Sequence, residues 1–299
     1  LNSWRNEYEH FYYIVAQVDM DHIPKKNYLT SVLGYFNDPQ VGFVGVPQIY
    51  KNTHNWIAKA AAEQTHFFYG PLQQGYYGVH MPFLIGTTHI YRVAAMRNFG
   101  GYAPTIAEDY LTGMHFFSSR WKGVYVPKVI AEGDGPISWT DYFNQQMRWS
   151  YGFFEILFQH THRHFFKLSL KQKINIAFSQ MFYFTGFAMF LGFLLTVFYF
   201  LFGINPTNMR VEEWILYASP VYLSGLAISL FVHKYYINPE KDPKMGFLGI
   251  FLGQAANVIY AIALLKFLSR QKLTYIVTPK GSKATQQMNI TVENNQTIS

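Results

Sequence analysis

The chain has 299 residues, a formal net charge of +7 and a composition that is 50% hydrophobic and 19% aromatic, with no cysteine. Disulfides and thiolate metal sites are therefore excluded, and the excess charge forms no long Lys/Arg block of the kind that grips nucleic acid. The length and apolar share allow a sizeable core and two domains, and the aromatics suit sugar-stacking surfaces and membrane-interface belts equally well. No start methionine or targeting segment is visible at Leu1, so the sequence reads as a piece of a longer protein.

The predicted elements alternate between strand and helix as far as Pro136, the pattern of an α/β domain. Residues 11–18 read as a strand and 25–36 as a helix closed by Asn37-Asp38-Pro39. A second strand is expected over 41–49, a second helix over 56–68 and a third strand over 83–92. Residues 110–121 are helical, 124–126 are extended, and 139–166 form a long aromatic helix whose basic end suits the membrane surface. Beyond Lys173 the residues suit lipid. No charge occurs between Lys173 and Arg210, enough chain to cross a hydrocarbon core of ~30 Å. Residues 214–232 form a second uncharged span. A third apolar stretch, 245–265, carries Gln254 and Asn257. Basic residues flank it on both sides: Lys234, Lys241 and Lys244 before, Arg270, Lys272, Lys280 and Lys283 after. Positive-inside reasoning puts both flanks in the cytoplasm, so this stretch is expected to lie in the interface or dip back. A third spanning helix is the alternative. The boundaries that follow are 1–138, 139–172, 173–268 and 269–299.

Three local patterns carry chemistry. Asp19-Met20-Asp21-His22 follows the first strand, and two carboxylates on alternate residues can hold one hard divalent cation, although acids at strand ends also serve as turn formers. Glu108-Asp109 opens a helix, where the dipole favours acids and where a general base for an acceptor hydroxyl could also sit. Gln145-Gln146-Met147-Arg148-Trp149 is the sharpest. On a helix Gln145, Arg148 and Trp149 share one face and present an amide, a phosphate-matching guanidinium and a sugar-stacking indole. Arg and Trp also anchor interfacial helices to lipid. The scattered histidines His54, His66, His80, His89 and His115 lack metal-helix spacing and read as structural.

In this order, and followed by membrane spans, the three patterns resemble those of the processive family 2 glycosyltransferases of the cellulose-synthase type. Asp19 and Asp21 fall on that family's Asp-x-Asp, and Asp109 on the base of its Thr-Glu-Asp, with Ala107 in place of threonine. Gln145, Arg148 and Trp149 match Gln-x-x-Arg-Trp in full. Phe83-Leu84-Ile85-Gly86-Thr87 resembles the family's Phe-Phe-Cys-Gly-Ser acceptor segment, with Ile85 and Thr87 replacing Cys and Ser. Tyr275-Ile276-Val277-Thr278-Pro279-Lys280 resembles the loop that closes over the donor, with Tyr275 on the base and Thr278 and Lys280 near the diphosphate.

The resemblance implies the C-terminal part of a GT-A, Rossmann-like glycosyltransferase domain followed by an α-helical membrane domain. It implies a membrane enzyme, catalytic part cytoplasmic in a bacterial inner membrane, that transfers glucose from UDP-glucose with inversion to a growing β-glucan and exports the polymer. Asp19 and Asp21 would hold Mg²⁺ or Mn²⁺, Asp109 would be the base, and Glu108, Gly86, Thr87, Gln145, Arg148 and Trp149 would line the donor and acceptor site. The partners implied are the nucleotide sugar, the polysaccharide and the bilayer. The family's nucleotide-binding first half, with the first of its three aspartates, has no counterpart in this sequence. A chitin-, hyaluronan- or other glucan-type synthase, or a non-catalytic membrane paralogue, are the alternatives.

Overall fold

The computed structural model describes residues 2–203, 210–243, 246–271 and 273. Its first half contributes helices α1 (Asn2–Tyr8), α2 (Tyr28–Val32), α3 (Trp56–Phe67), α4 (Gln73–Gly78), α5 (Val93–Arg97) and α6 (Glu108–Ser118). The strands are β1 (Ile14–Val18), β2 (Ile23–Pro24), β3 (Val41–Gly45), β4 (Ile49–Tyr50), β5 (Thr88–Arg92), β6 (Lys122–Tyr125) and β7 (Ala131–Gly133). One mixed sheet runs β1-β5-β3-β6, with β5 antiparallel to both its neighbours and β3 parallel to β6. A smaller sheet, β2-β7-β4, sits beyond it. All five residues of β3 are buried, which is why this strand reads as a continuous apolar run. Phe43 packs towards α6 with Leu111, Met114 and Phe116, while Val44 and Ile90 face the core under α2.

Three expected elements of this half are corrected. The strand expected over 83–92 is regular only from Thr88. Before it, the backbone of Phe83 is satisfied by the side chain of Gln73, which accepts from its N–H at 2.9 Å and donates to its carbonyl at 3.2 Å. A side chain thus replaces the ladder, and the segment is irregular. The strand expected over 41–49 breaks at Pro47, which lacks a donor, and resumes as β4 in the other sheet. The second helix continues past its expected end through a wide turn that accommodates Pro71 and runs on as α4.

The second half is helical: α7 (Trp139–Gln159), α8 (Thr161–Phe165), α9 (Leu170–Met181), α10 (Phe184–Phe202), α11 (Val211–Val232) and α12 (Phe247–Leu268). The long helix expected over 139–166 starts where Ser138 accepts from the N–H of Asp141 and breaks at His160. Among the described residues, three helical segments, Leu170–Phe202, Glu212–Tyr235 and Phe247–Leu268, are long and apolar enough to cross a membrane. They differ in what they touch. α11 exposes its apolar residues all round, whereas α12 buries Leu252, Ala256, Ile259, Tyr260 and Leu264 in a core shared with α3 and α7. Gln64 of α3 donates to the Gly249 carbonyl at 3.1 Å, and Tyr260 donates to Gln146 of α7 at 2.8 Å.

α10 crosses α12 at Gly186, where an added Cβ would lie 2.4 Å from the Asn257 carbonyl and 2.5 Å from Tyr260 Cβ. Gly186→Leu should therefore force the helices apart and lower the thermal midpoint in detergent, at a cost of ~1–3 kcal/mol by the scale of overpacking. Gly192→Leu, with no atom within 4 Å, should leave it unchanged. Equal midpoints for the two variants would contradict this packing.

Candidate active site

The site is assembled from the ends of β1, α6 and α7 and from the irregular segment before β5. At the end of β1 the Asp19 N–H donates to the Thr87 carbonyl at 2.9 Å, and the His22 N–H returns to the Asp19 carbonyl at 2.9 Å. This turn leaves Asp19 exposed and Asp21 half-buried. Asp21 is oriented by His22, whose buried ring places Nδ1 3.0 Å from its Oδ1.

Glu108 and Asp109 occupy the first turn of α6, where the helix dipole favours negative charge. Asp109 Oδ2 accepts from the Gly86 N–H at 3.0 Å and Oδ1 from the Tyr110 N–H at 2.8 Å. Position 86 has to be small: a Cβ there would sit 3.0 Å from Asp109 Oδ2. Burial raises the Asp109 carboxyl above the usual aspartate range, against the pull of its two N–H donors and of Arg148. Burial first, and the charge of Asp109 second, push Glu108 up to about 7. A carboxyl raised by burial is the state in which such a group exchanges protons near neutral pH.

α7 approaches this turn closely because Gly152 meets Ala107; a Cβ on Gly152 would lie 2.7 Å from Ala107 Cβ. The approach presents Arg148, one turn earlier on the same face, to the α6 acids. Its charge lowers both Glu108 and Asp109, and the Asp19 charge raises Glu108, so the three motifs share one electrostatic field. Gln145 is buried, and its Nε2 reaches the hydroxyl of Tyr50 at 3.5 Å. Trp149 is half-buried beside Arg148. Among the described residues no group of three or more His, Cys, Asp or Glu is disposed to hold a metal.

Asp19, Asp21, Gly86, Thr87, Glu108, Asp109, Gln145 and Arg148 thus lie on neighbouring walls of one region. Tyr275, Thr278 and Lys280 lie outside the described residues. After α12 the chain passes beside α7, where Tyr151 donates to the Gln271 carbonyl at 3.0 Å.

Two residues at the site escape sequence reasoning. Tyr50, buried on β4, feels Asp21 and Arg148 as well as Gln145, and burial pushes its hydroxyl up to about 12. A two-residue strand leaves no periodic trace, and nothing in the sequence marks it. Gln17 donates to the Gly86 carbonyl at 2.7 Å. Its signal was present: it is the one polar residue in the strand Ile-Val-Ala-Gln-Val.

The family model described as "Glycosyl transferase family group 2" matches residues 14–232, and the chain belongs to this family of glycosyltransferases. A "Cellulose synthase catalytic subunit [UDP-forming]" of Pseudomonas fluorescens is 24% identical over 278 residues, covering 89% of this chain. The match takes up 35% of that relative, so the chain spans about a third of its length. A rice protein named "Probable glucomannan 4-beta-mannosyltransferase 3" is 28% identical over 147 residues, 46% of this chain and 26% of the relative. Among solved structures, a mannosyltransferase from Pyrobaculum calidifontis in complex with GDP-Man and Mn²⁺ superposes with a TM-score of 0.52 at 16% identity, covering 87% of this chain and 63% of that one. The fold is that of the GT-A glycosyltransferases, with mixed sheets and helices.

Proposed function

From this family membership we infer that the chain carries the acceptor-side half of a membrane-bound inverting hexosyltransferase that extends a β-glucan. The observation that carries the reading is the convergence on one another of Asp109, held by the Gly86 N–H, and Arg148, with the Asp19 charge felt alongside them. Asp109 takes the proton of the acceptor hydroxyl as that oxygen attacks the anomeric carbon, and the bond to the diphosphate breaks on the opposite side. Arg148 stabilises the negative charge that grows on the leaving diphosphate, and Gln145 lines the same wall. Trp149 stacks on the terminal sugar, beside Gly86 and Thr87 of the acceptor segment.

Asp19 and Asp21 are two hard oxygen donors and, with no metal-holding group of three or more acids or histidines among the described residues, they suit Mg²⁺ or Mn²⁺ that completes its shell from water and phosphate. Such an ion would supply positive charge at the diphosphate. Glucose from UDP-glucose is the first donor proposed, on the likeness to the Pseudomonas relative over 89% of the chain. A mannosyl donor is the second reading, favoured by the rice relative. Transfer of label from UDP-glucose and GDP-mannose to polysaccharide, with and without chelator, distinguishes the two. Incorporation from neither donor would sink both readings.

The α/β half is read as the C-terminal part of a Rossmann-like domain. α10 and α11 are read as crossing the membrane, with the catalytic part cytoplasmic and the polymer leaving between helices. α12 is read as lying along the catalytic half, because its apolar face is already occupied by α3 and α7. Tyr275, Thr278 and Lys280 are proposed to close over the donor. Lys280→Ala and Tyr275→Ala should each weaken donor binding about tenfold, and Tyr275→Phe should leave it nearly unchanged, as read by donor titration. Unchanged affinity in both alanine variants would remove the closing loop and leave the transferase.

A further inference from the structure

Residues 85–87 belong to no strand, yet three successive carbonyls there are each held by a separate donor. His89 Nδ1 lies 2.8 Å from the Ile85 carbonyl, Gln17 Nε2 donates to Gly86 at 2.7 Å, and the Asp19 N–H donates to Thr87 at 2.9 Å. Two of those donors are joined behind the segment. The hydroxyl of Tyr102 sits 2.8 Å from His89 Nε2 and donates to Gln17 Oε1. His89 and Tyr102 are both buried, with their rings edge to face at 5.9 Å. Tyr102 is itself fixed to α1, since Asn2 accepts from its N–H at 3.1 Å and donates to its carbonyl at 3.0 Å.

We propose that His89, Tyr102 and Gln17 form a positioning relay that holds the Ile85–Gly86 backbone so that the Gly86 N–H meets Asp109. The proposal rests on Asp109 being the base. None of the three touches the reacting atoms; they act through Gly86.

Proton counting shows why Tyr102 is the joint. The Ile85 carbonyl can only accept, so His89 carries its proton on Nδ1. Burial lowers His89 to about 4, so the ring is neutral and Nε2 is an acceptor. The Gly86 carbonyl likewise fixes the Gln17 amide, turning Oε1 towards Tyr102. The hydroxyl has one proton for two facing acceptors, so it donates to Gln17 Oε1 or to His89 Nε2 but not to both at once, and its loss leaves both without that donor and free to turn.

Tyr102→Phe and Gln17→Met should speed amide exchange over residues 85–87 about tenfold or more. They should lower kcat about tenfold at unchanged donor KM, because a misplaced catalytic group costs up to ~10²-fold. The acid limb of the pH–rate profile should also move to higher pH, since the Gly86 N–H is one of the groups that oppose burial at Asp109. Tyr91→Phe is the control. It removes another buried hydroxyl of the same core, whose bond runs to Glu9 at 3.4 Å, and should match wild type in all three readouts. Wild-type exchange in both Tyr102→Phe and Gln17→Met, or equal effects from Tyr91→Phe, would overturn the relay. Faster exchange in Tyr102→Phe and Gln17→Met with wild-type kcat and an unmoved acid limb would overturn the link through Gly86 to Asp109.

Discussion

Asp109→Asn should abolish transfer, by ~10²-fold or more, while the nucleoside diphosphate still binds. The substitution keeps the shape of the side chain and leaves one oxygen to accept from the Gly86 N–H, so the acceptor segment stays in place. It removes the capacity to take a proton and turns an amide NH2, in place of Oδ1, towards the Tyr110 N–H. The same change should not lower stability at pH 8. Burial raises the folded-state pKa of Asp109, so its favourable contribution is present at low pH and is lost as pH rises through that value. Above it, the folded chain carries a buried charge, and Asn relieves that cost. Kinetics, diphosphate titration and thermal unfolding of one variant therefore give three separable readings. Transfer above about a tenth of the wild-type rate would remove Asp109 from the role.

Arg148→Ala has the next largest expected effect. If Arg148 stabilises the departing diphosphate, its loss should cost ~10²–10³-fold in kcat, the range seen when one preorganised donor is removed from a transition state. A second consequence separates this role from lipid anchoring. Arg148 lowers both Glu108 and Asp109, so without it burial pushes both further up. The base then loses activity at a higher pH on the acid side, and the limb shifts upward. Adjacent carboxylates titrate as a pair, so the shift belongs to the pair and not to one residue. Arg148→Lys keeps the charge but loses the planar fork, and should recover the pH profile better than the rate. A mere anchor would move neither readout.

Much of this molecule is written locally. β3 announces itself by an unbroken apolar run, α7 by its long aromatic run, and the spans by length without charge. The motif residues could be named because each cluster is contiguous or lies on one helix turn. What the sequence hides is satisfaction of backbone by distant side chains. The strand expected before Thr88 fails because Gln73, Gln17, Asp19 and Asp109 take its hydrogen bonds, and no window of neighbouring residues contains that information. The β2-β7-β4 sheet is invisible for a related reason: strands of two or three residues have no measurable period. Tyr50 enters the site through that sheet. Gln17 and His89 were present as polar residues in apolar surroundings, but only the fold says which carbonyls they hold.

Asp109 acting as base in a single displacement should invert the anomeric carbon of the transferred sugar. The most direct measurement supplies the membrane-embedded protein with an α-linked nucleotide sugar labelled with ¹³C at the anomeric carbon and reads the new linkage by NMR. Wild type should give β-linked product and Asp109→Asn none. An α linkage, or label incorporated equally by the Asp109→Asn variant, would contradict this mechanism.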